Sequence, residues 1–401
     1  MLKNFKNGRL VQWLQLNPKK SLADQDSLQL TKTNSRRNEF HVGYWLILRF
    51  MVKFAGFTCD YDNDFAKLHH HRAISNTNTD HSRVFIMSCN SSHSVNFALA
   101  SCYEGFNDDD TSAIVTLNNP LEKTPLVDNY ELMMGSCYGL IYFACYNDHI
   151  LLWNPTTQEK RLIPHSSAIQ KKSKKKIPHW SPSFLDRTRF YRLGYDLITD
   201  DYKMLRATHS ISSKSISSEV FSLKTGSWRT VQDSHIDINR PDKIKIFSNG
   251  AVHWLVRTVC GSDKLDTILS FDMKEETFKE TALPNITRSE YTGFVVLGDL
   301  KGCLYAVYGG DGGVDLDIWV MNEYGVENSW SMMIRLSCVE FGSDYSMWHV
   351  CFTHEDDVVI SVEWDIVRYN LSDKTMKKFK RCLTDWTSPL VYTETLVSPY
   401  V

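Results

Sequence analysis

Six features of this chain carry side chains that could do chemistry. His69-His70-His71 offers imidazoles of the kind that hold a metal. Neighbouring residues on a helix point in different directions, and no Cys or Asp stands at ligand spacing, so a solvated helix end outweighs a metal site. The run Gly309-Gly-Asp-Gly-Gly-Val-Asp-Leu-Asp317 has the outline of a calcium-binding nonapeptide. That repeat needs Asp where Val314 stands, and it needs stacked copies, so a flexible loop between strands is expected instead. Asp108-Asp109-Asp110 reads as a solvated loop, and Asp200-Asp201 as turn acids that open a strand. Lys171-Lys-Ser-Lys-Lys-Lys176 could meet an acidic protein surface or act as a nuclear signal. A block of like charge also repels itself and stays disordered. Without an aromatic platform or a second basic stripe beside it, nucleic acid is not an expected partner. Trp228, Trp254, Trp319 and Trp330 could line a pocket, but wedging between sheets is the commoner use of such residues. No G-x-S-x-G, Walker loop, H-E-x-x-H or interpretable Cys/His pair occurs. The chain is therefore read as non-catalytic, with no cofactor and no metal.

The elements that position these residues follow from a repeat. Tyr130–Pro164 reads as four short strands with turns at Asn147-Asp148 and Asn154-Pro155-Thr156-Thr157. Its last turn recurs. Trp153 and Lys160 enclose six residues, as do Phe221 and Trp228, Phe271 and Phe278, and Tyr369 and Met376. Met321 and Trp330 enclose eight. From Phe221 onward the anchors step by 50, 50 and 48 residues, and the first step, from Trp153, is 68. A period near 50 with four strands per unit is the signature of a kelch-like β-propeller, whose blades must stack because none can bury both faces alone. The longer first step holds Lys171–Lys176. Deleting those residues is expected to leave thermal unfolding almost unchanged, because long surface loops cost little; a large drop in melting temperature would mean the segment is packed.

Five units are complete, and two fragments remain. Arg83–Leu117 supplies three strands, and Leu390–Val397 supplies one. Together they make a sixth blade, with Leu390–Leu396 hydrogen-bonded to a strand from residues 82–117. The physical reason is edge protection: an open ring leaves blade faces bare and an apolar strand unpaired.

Composition bounds the rest. The 401 residues are 42% hydrophobic, 23% charged and 12% aromatic, with a net charge of −2, so no global field draws nucleic acid or membrane. Ten cysteines occur without a C-x-x-C pair, and Cys89, Cys102, Cys145, Cys303 and Cys351 sit in apolar runs, as buried reduced thiols do. Met1–Leu16 lacks the apolar run and cleavage site of a signal peptide. Gly43–Phe57 is 15 residues long and contains Arg49 and Lys53, too short and too charged to span a bilayer. A cytoplasmic location, with or without a nuclear fraction, is expected. Residues 1–42 are a polar, poorly ordered tail, 43–74 a helical segment with a broad apolar face, and 82–401 the propeller.

The segment at 43–74 resembles the F-box of plant F-box proteins. It reads Ile47-Leu48-Arg49-Phe50-Met51-Val52-Lys53, then Phe57-Thr58-Cys59, then Phe65-Ala66-Lys67-Leu68-His69-His70-His71-Arg72. The usual Leu-Pro-x-Asp entry is missing, Met51 stands where Pro is usual, and the Lys-x-Trp segment is deleted after Cys59. From Tyr130 onward, Leu152-Trp-Asn-Pro-Thr-Thr157, Gly194-Tyr-Asp196 with Thr199-Asp-Asp-Tyr-Lys203, Phe221-Ser-Leu-Lys-Thr225, His253-Trp-Leu255, Ile268-Leu-Ser-Phe-Asp-Met273 and Asp317-Ile-Trp-Val-Met-Asn-Glu-Tyr-Gly-Val326 occur in that order. They are similar to the F-box-associated domain, close to the S-locus F-box-like group. The resemblance implies a short, degenerate helical F-box before a six-bladed kelch-like propeller in a mainly-β chain. It implies substrate recognition for an SCF-type cullin-RING ubiquitin ligase. Leu46, Ile47, Leu48, Phe50, Val52 and Phe54 would bind a Skp-type adaptor and, through it, a cullin, while the propeller holds a target protein. Nearness to the S-locus group makes a secreted pollen-rejection ribonuclease one candidate target among others. Two alternatives stand beside this: a propeller scaffold that has lost adaptor binding with its truncated F-box, and a propeller enzyme, which the lack of carboxylate constellations disfavours.

Overall fold

In a computed structural model of the chain, the described residues are 82–89, 95–101, 114–126, 132–145, 148–166, 187–210, 212–235, 240–260, 263–284, 295–300, 302–309, 315–337, 347–354, 357–362, 365–378 and 386–400. The bulky pairs of the repeat are Cα partners across a hairpin: Trp153 with Lys160, Phe221 with Trp228, Phe271 with Phe278, Met321 with Trp330, and Tyr369 with Met376. Within each turn one residue has positive φ: Gln158 at 60°, Gly226 at 63°, Glu276 at 56°, Gly325 at 80° and Lys374 at 55°. The residue after the bulky anchor caps most of these turns. Asn154 Oδ1 accepts from the Thr156 amide, Ser222 Oγ from that of Thr225, Asp272 Oδ1 from those of Lys274 and Glu275, and Asn370 Oδ1 from those of Ser372 and Asp373. Asn, Asp and Ser recur there because their short side chains hydrogen-bond their own backbone two or three residues on.

Each hairpin closes one four-stranded antiparallel sheet. The second blade is β4 (Met133–Cys137), β5 (Leu140–Ala144), β6 (Ile150–Trp153) and β7 (Lys160–Ile163). The third is β8 (Arg187–Asp196), β9 (Asp201–Ser210), β10 (Ser215–Ser222) and β11 (Ser227–His235). The fourth is β12 (Arg240–Ser248), β13 (Ala251–Cys260), β14 (Asp263–Asp272) and β15 (Phe278–Ala282). The fifth is β16 (Val295–Leu300), β17 (Cys303–Gly309), β18 (Asp315–Met321) and β19 (Trp330–Ser337), and the sixth is β20 (Met347–His354), β21 (Asp357–Val362), β22 (Asp365–Asn370) and β23 (Met376–Lys378). β4, β8, β12, β16, β20 and β24 (Trp386–Thr393) touch in ring order and line the axis.

The first blade joins distant parts of the chain. β24 is its innermost strand, and β1 (Ser82–Cys89), β2 (Val95–Ser101) and β3 (Ile114–Leu117) follow outward. Phe85 stands opposite Leu390, Val84 opposite Val391, and Ser82 opposite Thr393. The expected six-bladed closure is thus the observed one, with a difference at its end: β24 stops at Thr393, short of Leu396. Residues 394–400 leave the sheet and lie against the second blade. Asn154, fully buried, donates from Nδ2 to the carbonyls of Thr395 (3.0 Å) and Val397 (2.7 Å) and accepts at Oδ1 from the Tyr392 hydroxyl (2.8 Å). Arg161 donates to the Pro399 carbonyl and lies over the Tyr400 ring.

Burial explains the strand sequences. All five residues of β5 and all four of β6 are buried, because these middle strands are covered by a neighbouring blade on each side. The outermost β7, Lys-Arg-Leu-Ile, buries only Ile163. The tryptophans do wedge blades. The Trp254 ring lies 5.0 Å from that of Phe190 of the third blade, tilted by 52°, Trp228 Nε1 donates to the Pro164 carbonyl of the second, and Trp330 Nε1 to the Ala282 carbonyl of the fourth. Two expectations need correction. Cys137 and Cys145 are buried and form no disulfide, but Cys303, at the start of β17, is partly exposed. The Gly309–Asp317 run is not one flexible loop. Gly309 pairs with Leu316 across a hairpin, and Asp317 is buried in β18 as the partner of Arg335 (2.5 and 2.6 Å). Its carboxylate is already spent on an ion pair inside the sheet, which the glycine-rich spelling hid.

Candidate target-binding face

Antiparallel four-stranded blades place two kinds of turn at one end of the ring: first-to-second strand and third-to-fourth strand. This turn face is held by polar locks between blades. At the third and fourth blades, Lys203 Nζ reaches Asp196 (2.8 Å), the Met273 carbonyl (2.7 Å) and Glu276 (3.2 Å). All three charged groups are largely buried, so each needs the others. At the fourth and fifth, Asn249 Nδ2 donates to the Gly302 carbonyl. Nearer the axis, Tyr138 in the β4–β5 turn packs edge-on against Tyr195 (5.8 Å) and Phe247 (5.7 Å), and its carbonyl accepts from the Tyr202 hydroxyl (2.5 Å). One side chain so joins three blades. Burial raises the hydroxyl pKa of Tyr138, so the ring stays a neutral wedge.

On this rigid floor apolar tips stand out. Leu197 and Ile198, in the β8–β9 turn, are 59% and 72% exposed. The Asp196 carboxylate fixes that turn by accepting from the amides of Ile198 (3.0 Å) and Thr199 (3.4 Å). Tyr324 and Val326, in the β18–β19 turn, are also exposed. The other large exposed apolar side chains among the described residues lie on the outermost strands, as do Val115, Leu162, Met332, Met333 and Met376, or in the tail, as does Tyr400. Preformed apolar groups on a fixed backbone suit protein recognition, since little ordering is left to be done on binding.

Beneath Tyr324, His253 of β13 is 1% exposed, with Nε2 2.8 Å from the tyrosine hydroxyl. Burial lowers its pKa to about 4, against roughly 6.5 for an unfolded histidine. Between those values the unfolded chain takes a proton that the native protein refuses. The His253 contribution to stability is therefore complete above pH 6.5 and is lost as pH falls towards 4, by on the order of 3 kcal/mol. Urea midpoints at pH 7.5 and 5 are expected to differ more for the wild type than for His253→Gln; equal differences would show that native His253 does accept the proton.

Among the described residues no three or more His, Cys, Asp or Glu gather at metal-binding distance. Leu46, Ile47, Leu48, Phe50, Val52 and Phe54 lie outside the described residues, as do His69–His71, Asp108–Asp110 and Lys171–Lys176. The structure does place Asp200 and Asp201, which end the β8–β9 turn and open β9. Asp201 Oδ1 accepts from the Lys224 amide (3.0 Å). Asn154, Leu197, Ile198 and Tyr324 were not singled out from the sequence. Only the dipeptide Leu197-Ile198 carried a local signal, two large aliphatics where a polar turn was expected.

A ring of six four-stranded blades, closed by its earliest and latest strands and bearing fixed turns at one end, defines the class: a six-bladed β-propeller. The chain belongs to the F-box-associated family, whose model, described as the F-box associated beta propeller domain, matches residues 77–398. An F-box/kelch-repeat protein of Arabidopsis thaliana is 27% identical over 280 residues, covering 68% of this chain and 70% of the relative. F-box protein CPR1 of the same plant is 23% identical over 359 residues, covering 82% of this chain and 79% of its own length. A third F-box protein of that plant is 28% identical over 223 residues, 49% of each chain.

Proposed function

We propose that this protein is the substrate-recognition subunit of an SCF-type cullin-RING ubiquitin ligase. The observation that carries the reading is an F-box-associated propeller, preceded in the same chain by a sequence that resembles an F-box. The helix at 45–54 docks on a Skp-type adaptor through Leu46, Ile47, Leu48, Phe50, Val52 and Phe54, as an amphipathic helix does in a groove. The adaptor ties the chain to a cullin. The turn face, with Leu197 and Ile198 at its tips, holds the target near the recruited ubiquitin-conjugating enzyme. The chain itself performs no chemistry; its contribution to rate is proximity.

The missing Lys-x-Trp segment after Cys59 favours a second reading, a propeller scaffold without adaptor binding. Adaptor affinity separates the two. The wild type is expected to bind more weakly than a chain with an intact F-box, and Leu48→Asp with Phe50→Asp to abolish binding, since buried apolar anchors are worth about 2 kcal/mol or more each. Equal affinity of wild type and double variant would remove this helix as the docking element. No binding by the wild type would leave the scaffold.

A further inference from the structure

The turn that joins β18 to β19 is built differently from its counterparts. It holds eight residues between the paired Met321 and Trp330, where the second, third, fourth and sixth blades hold six. Extra length does not leave it slack. Asn322 Nδ2 donates to the Ser329 carbonyl and to Ser331 Oγ, both at 2.8 Å. Ser329 Oγ accepts from the Glu323 amide (3.1 Å) and lies 2.7 Å from the Val326 carbonyl. A short 3-10 turn, Glu327–Ser329, closes the far side. Gly325, at φ 80°, makes the reversal that a side chain would strain.

Tyr324 crowns this turn and is fixed from below. Its hydroxyl is hydrogen-bonded to buried His253 of the neighbouring blade, and the two rings meet edge to face at 5.6 Å. Burial pushes the hydroxyl pKa up to about 12, so it keeps its proton. The ring remains 43% exposed, and Val326 beside it 39%. Glu323, just before Tyr324, and Glu327, just after Val326, are exposed, and their carboxylates bond to no other described residue. An aromatic ring held at a set angle, an aliphatic neighbour and two uncommitted carboxylates thus stand exposed within five consecutive residues, 323–327.

We infer that the β18–β19 turn is a recognition knuckle for a basic segment of the target protein, one with Arg or Lys next to apolar residues. The cation lies on the Tyr324 ring, whose face attracts positive charge. Glu323 and Glu327 flank it and supply charge-assisted hydrogen bonds, with Arg favoured because its planar fork fits carboxylates. Val326 covers the adjoining apolar side chain. An acidic partner would meet like charge and is rejected. This rests on the reading of the propeller as a target receptor, and it adds the chemistry of what is received.

The test is selection from an array of random 12-residue synthetic peptides by the full chain. The wild type is expected to retain peptides enriched in Arg or Lys beside Leu, Ile, Val or Phe. Tyr324→Ala should weaken that retention about tenfold. Glu323→Lys with Glu327→Lys should shift the selection to peptides rich in Asp and Glu, and thermal unfolding of that pair should match the wild type because both sites are exposed. The same peptides retained by wild type and double variant, or no basic enrichment by the wild type, overturns the proposal. Adaptor binding measured on the same preparations keeps the two claims apart: selection intact with adaptor binding absent removes the ligase role and leaves the knuckle, and the reverse removes the knuckle alone.

Discussion

A chain ending at Thr387 is expected to lose its cooperative unfolding transition, while a chain lacking residues 1–40 keeps it. The shortened chain lacks Ser388–Thr393, which pair with Met87–Ser82 of β1. It also loses the fully buried Tyr392. A buried aromatic cut to Ala costs about 3–5 kcal/mol on its own, against about 5–15 kcal/mol for the whole stability of a typical domain. The damage is not confined to one strand. β24 touches β4 on one side and β20 on the other, so its removal opens the ring at two blade faces. Val84, Phe85, Ile86 and Met87, all buried now, would sit at an unpaired inner edge. Calorimetry of the two truncations decides the matter: an unchanged melting temperature on loss of residues 388–401 would mean that closure contributes little.

Asn154→Ala is expected to cost about 3 kcal/mol, far more than an ordinary turn asparagine would. The side chain is 0% exposed and spends both donors and its oxygen, on Thr395, Val397, Tyr392 and the Thr156 amide. Its loss leaves two buried carbonyls short of partners, at about 1–3 kcal/mol for each one left unsatisfied, while the Tyr392 hydroxyl keeps the Thr156 hydroxyl at 2.7 Å. Asn154→Asp separates the roles, because it keeps the acceptor for Tyr392 but removes both donors. Denaturant titration gives the stability, and hydrogen exchange over residues 394–400 reports whether the tail is released. A fully stable Asn154→Ala protein with a protected tail would refute the assignment.

What could be read from the sequence was what is local. The anchors at Trp153, Phe221, Phe271, Met321 and Tyr369 were legible because each stands at the buried end of its blade's third strand, and four of the five turns that follow have the same length. Burial demands a bulky residue there, and the capping position after it favours a short polar one, as Asn154, Ser222, Asp272 and Asn370 show. Register followed, since the paired residues in the alignment are the paired residues in the sheets. The closing blade was legible by elimination, from three unmatched strands and one. The locks between blades were not. Asn154 finds Thr395 and Val397 across most of the chain, and nothing in Trp-Asn-Pro-Thr-Thr distinguishes a clamp from a turn. Leu396 and Val397 read as strand because they are apolar, yet Val397 is buried by docking on the second blade rather than by pairing. Asp317 was hidden because a glycine-rich run stands before it. Tyr324 looked like any polar-turn tyrosine until the fold set His253 beneath it.

Closure by β24 also governs when the propeller can exist. During synthesis β1 emerges well before β24, the strand that pairs with its inner edge. At ~5–20 residues per second, the roughly 300 intervening residues take about 15–60 s to be made. Five blades can form in that interval, but the first cannot, because its innermost strand is still unmade. Each newborn molecule therefore passes through an open-ring stage on the ribosome with Val84–Met87 uncovered. It depends during that time on slow aggregation or on a chaperone, and it completes its ring only after residues 386–393 have cleared the exit tunnel.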